Sequence, residues 1–205
     1  MRQMRIMLTG SAGVGKSALA NILARKIDPD GHERACVVGF ADALKDQVRE
    51  MLNMNQGRVG FPFGRKVPDH RGDEGLSVEW RNILRPIWQW YGTEWMRSQS
   101  PDYWISLLEE NCGTYLKAHW PVIITDCRFP NELDWGKENG FLIVRIIGPD
   151  RRLGVGGEPV PAHASETATL QSWVDMSLDN RENGIGHLES LADSIIERIE
   201  SETLT

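Results

Sequence analysis

The stretch GSAGVGKS, residues 10–17, decides the fold. It matches the pattern G-x-x-x-x-G-K-[ST], in which glycines let the backbone curl so that successive N–H groups point at the phosphates of a nucleotide. An apolar segment of strand length, residues 5–9, precedes it, and a segment with the period of a helix follows it. The positive end of a helix dipole also attracts an anion, so strand, loop and helix in this order predict a nucleotide phosphate site.

Each position of this loop has an expected role. Lys16 can reach the β- and γ-phosphates of a nucleotide, and the Ser17 hydroxyl can ligate Mg²⁺. We therefore expect a nucleotide with at least two phosphates, with Mg²⁺ as its metal ion. The residues predicted to contact this nucleotide are Gly10, Ser11, Ala12, Gly13, Val14, Gly15, Lys16, Ser17 and Ala18. A glycine-rich turn that binds nothing is the alternative.

Beyond this loop, apolar segments of strand length alternate with segments of helical period. Such alternation favours a parallel sheet that is covered by helices. The predicted strands are residues 5–9, 35–40, 121–125, 141–147 and 173–178, and the predicted helices are residues 17–27, 41–52 and 187–199. The sequence thus predicts an α/β fold of three layers, α/β/α, with a parallel five-stranded sheet, in a single domain over residues 1–205.

A further helical pattern covers residues 79–91 and contains Pro86. Proline lacks the backbone N–H that an inner turn of a helix needs, and its ring clashes with the preceding turn. We therefore expect this helix to be kinked or split near Arg85.

The stretch VIITDCRFPNELDW, residues 122–135, runs from a predicted strand into a predicted helix at Pro130. Ligands of open parallel sheets bind beyond the carboxyl ends of the strands, which is where Asp126 and Arg128 fall. Asp126 would hold hydrated Mg²⁺ as a Walker B acid, and Arg128 could bind a second anion. The alternatives are a turn residue that helps to start the helix, for Asp126, and a surface ion pair with Glu132, for Arg128.

The overall composition is that of an ordinary globular protein. The 205 residues are 40% hydrophobic and 25% charged, and the formal net charge is −6. Proteins that coat nucleic acid or an anionic membrane need a net basic face, so we expect neither partner. No apolar segment approaches the length that spans a bilayer. The three cysteines lack the spacing of a metal site, and their small, odd number favours a reducing cytoplasm.

Two segments rich in glycine, proline and basic residues, 57–77 and 148–163, interrupt the alternating pattern. Long segments of this kind are either functional covers or solvated loops, and the sequence leaves both interpretations open. Arginines and aromatic residues also accumulate in WQWYGTEWMRSQSPDYW, residues 88–104. A second anionic substrate accounts for them, whereas a GTP switch would need an N-K-x-D motif, which the sequence lacks.

A set of motifs spread over most of the chain carries a resemblance to a known family. The set comprises the phosphate loop, FADALKDQV, YGTEWMRSQSPDYWI, ITDCRFPNELDW, HASET at residues 163–167 and LDNRENGIGHLESL. Together these motifs resemble those of bacteriophage deoxynucleoside monophosphate kinases, which are similar in turn to phosphomevalonate kinases. The resemblance implies transfer of a phosphoryl group from ATP to a deoxynucleoside monophosphate, in the cytoplasm of the host if a phage encodes the protein.

The resemblance also implies which residues bind the acceptor. A monophosphate-binding region would cover about residues 42–117. Contacts with the acceptor would come from Asp42, Lys45, Trp95, Arg97, Trp104, Asp126 and Arg128. Within this set, Lys45, Arg97 and Arg128 would bind the phosphate. The two tryptophans would lie near the base or the sugar.

A lid at about residues 148–163 is implied as well. It would place Arg151 and Arg152 over the transferring phosphoryl group, so that they act with Lys16 and Arg128 in catalysis. Asp179 and Asn180 directly follow the last predicted strand. Related enzymes place the adenine at this position, although an ordinary turn explains these residues equally.

Other readings of these residues and of the function stay open. Lys45 and Arg97 could simply solvate helices, and the tryptophans could belong to the core. A phosphomevalonate-type kinase would use the same phosphate contacts without an aromatic surface for a base. A nucleotide-gated binding module would have the phosphate loop but transfer no phosphoryl group. The sequence leaves the accepted bases and the oligomeric state undetermined, a homodimer included.

Overall fold

The computed structural model of the protein describes residues 3–31, 35–54, 76–148, 171–182 and 184–201. The strands are β1 (Arg5–Thr9), β2 (Cys36–Val38), β3 (Val122–Cys127), β4 (Leu142–Ile147) and β5 (Met176–Asp179). The helices are α1 (Lys16–Ile27), α2 (Phe40–Met54), α3 (Val78–Gln89), α4 (Arg97–Gln99), α5 (Tyr103–Lys117), α6 (Pro130–Glu138) and α7 (Ile185–Ser201). A π-helix (Trp90–Met96) joins α3 to α4, and a 3₁₀-helix (Gln171–Trp173) precedes β5.

The strands form a parallel sheet in the order β2-β3-β1-β4-β5. β1 lies in the middle, with β3 on one side and β4 on the other, an arrangement that opens a crevice for ligands at the carboxyl ends of the strands. The pairing of β1 with β3 shifts towards this end, because Met7 pairs with Ile124 but Thr9 pairs with Cys127. β3 therefore contains one extra residue beside β1, which is a bulge just before the strand ends.

Helices cover both faces of this sheet. α1 and α7 pack on one face, in a buried cluster that includes Ile6, Leu23 and Ile195. On the other face, Gly136 of α6 lies so close to β1 that a Cβ atom there would be 2.6 Å from Met7 Cε. Ile6 and Met7 point to opposite faces because side chains alternate along a strand. The structure thus has three layers, α/β/α, and the predicted fold class is confirmed.

All five predicted strands are present. β1 has the predicted ends, and the ends of the other four differ from the predicted ones by at most three residues. The three predicted helices correspond to α1, α2 and α7. α5 was not predicted, although its buried residues Trp104, Leu108 and Cys112 recur every four positions, the spacing of one helix face.

Pro86 does not split the helix near Arg85, so that part of the expectation is wrong, while a kink stays a prediction. α3 begins where Ser77 Oγ accepts a hydrogen bond from the Trp80 N–H, and it runs through Pro86 to Gln89. At its end, the Trp90 N–H donates to the carbonyl oxygens of both Pro86 and Ile87, and the chain continues as the π-helix. The change in hydrogen-bond spacing thus comes a few residues after the proline, where α3 passes into the π-helix.

The described residues divide into two compact units. The first unit contains the sheet and comprises the described residues up to Phe40 and from Ile105 onward. The second unit is Ala41–Trp104, and it has a small core of its own in which Leu76, Trp80 and Leu84 are buried. The single domain, the monophosphate-binding region at 42–117 and the lid at 148–163 stay predictions. No helix in the described ranges is long and apolar enough to cross a membrane.

Candidate nucleotide-binding site

The phosphate loop connects β1 to α1, and its shape depends on glycines. Gly10, Gly13 and Gly15 have φ angles of 134°, 79° and 97°, where residues with a side chain are strained. Gly10 also lies directly against the carbonyl oxygen of Ile146 in β4, and a Cβ atom would collide with that oxygen. The curled backbone that the motif predicted is therefore present, and a side chain at Gly10 would force the loop or β4 to move.

Lys16 is the first residue of α1, and its side chain folds back over the loop. Its Nζ atom donates hydrogen bonds to the carbonyl oxygens of Gly10 and Ser11, both at 2.7 Å, and the residue is 8% exposed. The ammonium group is thus held at the loop by backbone oxygens, within reach of phosphates bound there. Ser17, the next residue, is exposed, so its hydroxyl is accessible to a ligand or metal ion.

The buried side of the loop rests on Asn180, which follows β5. Its Nδ2 atom donates to the carbonyl oxygen of Val14 at 2.7 Å, and its backbone N–H donates to the Ile147 carbonyl oxygen at 2.6 Å. Val14 is completely buried and Asn180 is 3% exposed. This contact was not predicted, because the sequence shows only a polar residue at the end of a strand and not the loop that it meets.

Asp126 lies near the end of β3, in the bulged part of the strand. Its Oδ1 atom accepts a hydrogen bond of 2.7 Å from the N–H of Phe40, the first residue of α2. Gly39 is packed against the same carboxylate, since a Cβ atom on it would be 2.9 Å from Oδ2. The predicted metal-binding acid therefore also caps α2. It lies at the same edge of the sheet as the phosphate loop, because β3 pairs with β1.

Arg128 follows β3, in the turn that leads to α6. The backbone N–H groups of Arg128 and Phe129 both donate to Glu132 Oε2, at 2.7 and 3.1 Å. Glu132 is 1% exposed, so its carboxylate is a buried cap at the start of α6. An ion pair with Arg128 stays an alternative, although Glu132 is buried and not at the surface. Glu132 fixes the backbone from which the Arg128 side chain extends.

The second unit contains the other predicted contacts with the acceptor. Lys45 Nζ lies 5.4 Å from the centre of the Trp88 ring, which is a cation–π distance. Arg97 Nη1 donates to the carbonyl oxygen of Pro101 at 3.3 Å. Asp42 lies in the first turn of α2 and is partly exposed. These charged groups are carried by helices, in contrast to the strand ends that carry Asp126 and Arg128.

The two predicted tryptophan contacts have different surroundings. Trp95 is 49% exposed and stacks on Trp90, with 5.9 Å between the ring centres. Both lie in the π-helix, whose wider turn brings residues five positions apart together. Trp104 is 3% exposed, and its Nε1 atom donates to the Gly92 carbonyl oxygen at 2.9 Å. This burial favours the alternative in which Trp104 belongs to the core, and its contact with a base or sugar stays a prediction. Of the two tryptophans only Trp95 is accessible.

The residues predicted for the lid are not placed by the structure. Arg151 and Arg152 lie outside the described residues, together with the rest of 149–163. Gly148, which precedes this segment, lies against Asn180, because a Cβ atom on it would be 3.1 Å from the Asn180 carbonyl oxygen.

The cysteines are free thiols. Cys112 is buried in α5, and burial, with a smaller contribution from Cys36, raises the pKa of its thiol to about 11. Cys112 is therefore neutral near pH 7.

Comparisons with known proteins were made for sequence and for structure. No protein-family model matches the chain. The chain is 26% identical over 191 residues to a protein of Acanthamoeba polyphaga mimivirus provisionally named deoxynucleotide monophosphate kinase, which covers 86% of this chain and 88% of that protein. It is 22% identical over 207 residues to the tRNA modification GTPase MnmE of Saccharophagus degradans, which covers 91% of this chain but 40% of the GTPase. A gluconokinase structure from Sinorhizobium meliloti 1021 aligns with a TM-score of 0.49 and 15% identity, over 99% of this chain and 97% of that chain.

The phosphate loop and the order of the parallel strands define the fold independently of these relatives. The mimivirus protein adds a similarity that extends over nearly its whole length. The chain is therefore a P-loop α/β protein whose sequence is similar to that of a protein provisionally named a nucleotide kinase.

Proposed function

We propose that the protein transfers the γ-phosphoryl group of Mg·ATP to a deoxynucleoside monophosphate, which yields ADP and a deoxynucleoside diphosphate. The observation that carries this proposal is the formed phosphate loop, with Lys16 Nζ held 2.7 Å from two of its carbonyl oxygens. The similarity to the mimivirus protein supports the class of acceptor.

The transfer requires no nucleophile from the protein. A phosphate oxygen of the acceptor is already anionic near neutral pH, and it attacks the γ-phosphorus directly. A bond forms between this oxygen and the phosphorus, and the bond from the phosphorus to the bridging oxygen of ADP breaks. The protein therefore contributes alignment and stabilisation of the charge on the transferring group. In the first unit, Lys16 and Arg128 are the residues proposed for that stabilisation.

Ser17 and Asp126 are the residues that would hold the magnesium ion. Both supply oxygen atoms, which Mg²⁺ prefers, and such ions are usually held by one or two protein groups together with waters and substrate phosphates. A carboxylate can accept several hydrogen bonds, so the bond of 2.7 Å from the Phe40 N–H to Oδ1 is compatible with this role. The bound ion would neutralise charge that develops on the phosphates.

The acceptor class is supported by the aromatic surface of the second unit. Trp90 and Trp95 are 50% and 49% exposed and stack on each other, and flat aromatic surfaces of this kind bind nucleobases by stacking. A phosphomevalonate-type acceptor has no base to stack, so this pair favours a nucleotide. Lys45 and Arg97 are proposed to bind the acceptor phosphate, as is Arg128. The lid residues Arg151 and Arg152 are proposed to contact the transferring group and to exclude water.

The test is to incubate the purified protein with Mg·ATP and, separately, with each deoxynucleoside monophosphate, each ribonucleoside monophosphate and phosphomevalonate. ADP and the product of each acceptor are then quantified by chromatography. ADP and a deoxynucleoside diphosphate in equal amounts are expected with at least one deoxynucleotide. ADP with phosphomevalonate alone, ADP without any acceptor, or ATP binding without turnover would each overturn the proposal.

A further inference from the structure

Asn180 meets the phosphate loop at a single peptide group. The amide Nδ2 donates to the carbonyl oxygen of Val14 at 2.7 Å, and the peptide between Val14 and Gly15 is the one that enters α1. The contact is buried, since Asn180 is 3% exposed and Val14 is completely buried. Removal of the Asn180 side-chain amide would be costly, because the buried carbonyl oxygen of Val14 would lose this hydrogen bond.

The direction of this hydrogen bond fixes the opposite side of the same peptide. A trans peptide is planar, and its C=O and N–H groups point in opposite directions. The Val14 carbonyl points into the buried side, towards Asn180, so the Gly15 N–H points away from it. In a phosphate loop that direction is the one from which an anion approaches.

Two glycines leave space for Asn180 in this position, one beside its side chain and one beside its backbone. A Cβ atom on Gly15 would lie 2.8 Å from Asn180 Nδ2, which leaves no space for a side chain. A Cβ atom on Gly148, which follows β4, would be 3.1 Å from the Asn180 carbonyl oxygen and 3.6 Å from Val14 Cβ. The backbone of Asn180 is also tied to β4, because its N–H donates to the Ile147 carbonyl oxygen at 2.6 Å. Asn180 is therefore held from both sides against the loop.

We propose that Asn180 is a positioning residue of the phosphate loop, which turns the Val14–Gly15 peptide so that the Gly15 N–H faces the phosphates of the bound nucleotide. This inference rests on the proposed nucleotide binding. It gives Asn180 a role towards the phosphates and not towards the adenine. The role requires a donor at this position, since an acceptor would repel the Val14 carbonyl oxygen.

The test uses inorganic tripolyphosphate and ADP, both with Mg²⁺, as probes of binding to the full chain by calorimetry. Asn180→Leu keeps the approximate volume and removes the donor. We expect the dissociation constants of both probes to rise at least tenfold and by the same factor, because tripolyphosphate contains the phosphates and lacks the base. A rise for ADP alone would show that Asn180 contacts the adenosine portion and would overturn the proposal.

Asn139→Leu is the matched control. Asn139 Nδ2 also donates to a backbone carbonyl oxygen, that of Trp135 at 2.9 Å, but it lies at the end of α6, away from the loop. Both variants are expected to lower the melting temperature, and only Asn180→Leu should weaken tripolyphosphate binding. Equal tripolyphosphate affinity in both variants and the wild type would mean that Asn180 is merely structural.

Two further outcomes separate this inference from the proposed function. If the wild type binds neither probe, the proposed nucleotide binding fails, and the inference falls with it. If Asn180→Leu does not fold, Asn180→Asp keeps the shape of the side chain and places an acceptor beside the Val14 carbonyl. Binding of tripolyphosphate to that variant with wild-type affinity at pH 8 would overturn the positioning role.

Discussion

In the phosphate loop of the first unit, the polar groups are already held by the fold. Lys16 is bonded to two loop carbonyls and the Val14 carbonyl to Asn180, all at 2.7 Å. In the π-helix of the second unit, Trp90 and Trp95 are instead about half exposed and contact each other. The first region is organised before a ligand binds. The second presents an apolar surface that a ligand can cover.

If the protein binds nucleotides as proposed, this difference corresponds to two kinds of ligand group, the phosphate and the base. A phosphate needs donors fixed in direction, and a strand end, a glycine loop and a helix start supply them from the backbone. A base needs a flat apolar surface, which side chains on one helical segment can supply. Substitutions in the first region should therefore affect rate most strongly, and those in the second should affect the affinity for the acceptor.

The largest effect is expected for Lys16→Ala. Removal of the ammonium group leaves the β- and γ-phosphates without their nearest positive charge in a site of low water content, so turnover should fall by roughly two or more orders of magnitude. Steady-state formation of ADP with a deoxynucleotide acceptor measures this. Lys26→Ala, on the same helix, removes an exposed ion pair with Asp193 and should leave turnover unchanged. Activity of Lys16→Ala within threefold of the wild type would contradict the role of the loop.

The next effect concerns the arginines proposed for the acceptor phosphate. Arg97→Ala and Arg128→Ala, made separately, should raise the Michaelis constant for the monophosphate by roughly tenfold to a hundredfold, since a charge-assisted contact contributes about 1.5 to 3 kcal/mol. The Michaelis constant for ATP should change little. Arg49→Ala, which removes an ion pair with Asp46 within α2, is the control. A rise in the Michaelis constant for ATP alone would mean that these arginines bind ATP and not the monophosphate.

Replacement of Trp95 and of Trp104 by alanine should give opposite results. Trp95→Ala removes an exposed ring, so the melting temperature should change little. Because stacking on a base is lost, the Michaelis constant for the monophosphate should rise roughly fivefold to a hundredfold. Trp104→Ala removes a buried ring and should destabilise the fold by about 3 to 5 kcal/mol, measured by urea unfolding, without a specific effect on the acceptor. If the Michaelis constant for the monophosphate is unchanged in Trp95→Ala, the stacked pair Trp90 and Trp95 has only a structural role.

The smallest effect is expected at Cys112. Burial raises the pKa of this thiol to about 11, so the thiol should resist iodoacetamide at pH 8 in the folded protein and react after unfolding. Above the ordinary thiol pKa of about 8.5 the unfolded chain loses this proton first, so stability should fall as the pH rises towards 11. Mass spectrometry of alkylated peptides and urea midpoints at pH 7 and pH 10 check both statements. Rapid alkylation of Cys112 in the native protein would contradict its burial.

The phosphate loop, the strands and the position of Asp126 could be predicted because each depends on local sequence. Glycine spacing specifies the loop, and apolar segments specify buried strands. The contacts of Asn180 with Val14 and of Asp126 with Phe40 could not be predicted, because they join segments that are far apart in the sequence. A split at Pro86 was wrongly expected for a different reason. Proline disfavours the inner turns of a helix, but α3 continues through Pro86 to Gln89.

The position of the Lys16 ammonium has a consequence for the departure of a ligand. If the loop binds a phosphate as proposed, the ammonium group that the phosphate meets is already bonded to the carbonyl oxygens of Gly10 and Ser11. An ammonium group has three N–H donors, so it can hold these oxygens and still donate to a phosphate. When the ligand leaves, the same two oxygens remain as partners, and the buried cation of the empty loop is stabilised by them. The stability of the empty loop would lower the net affinity for the ligand.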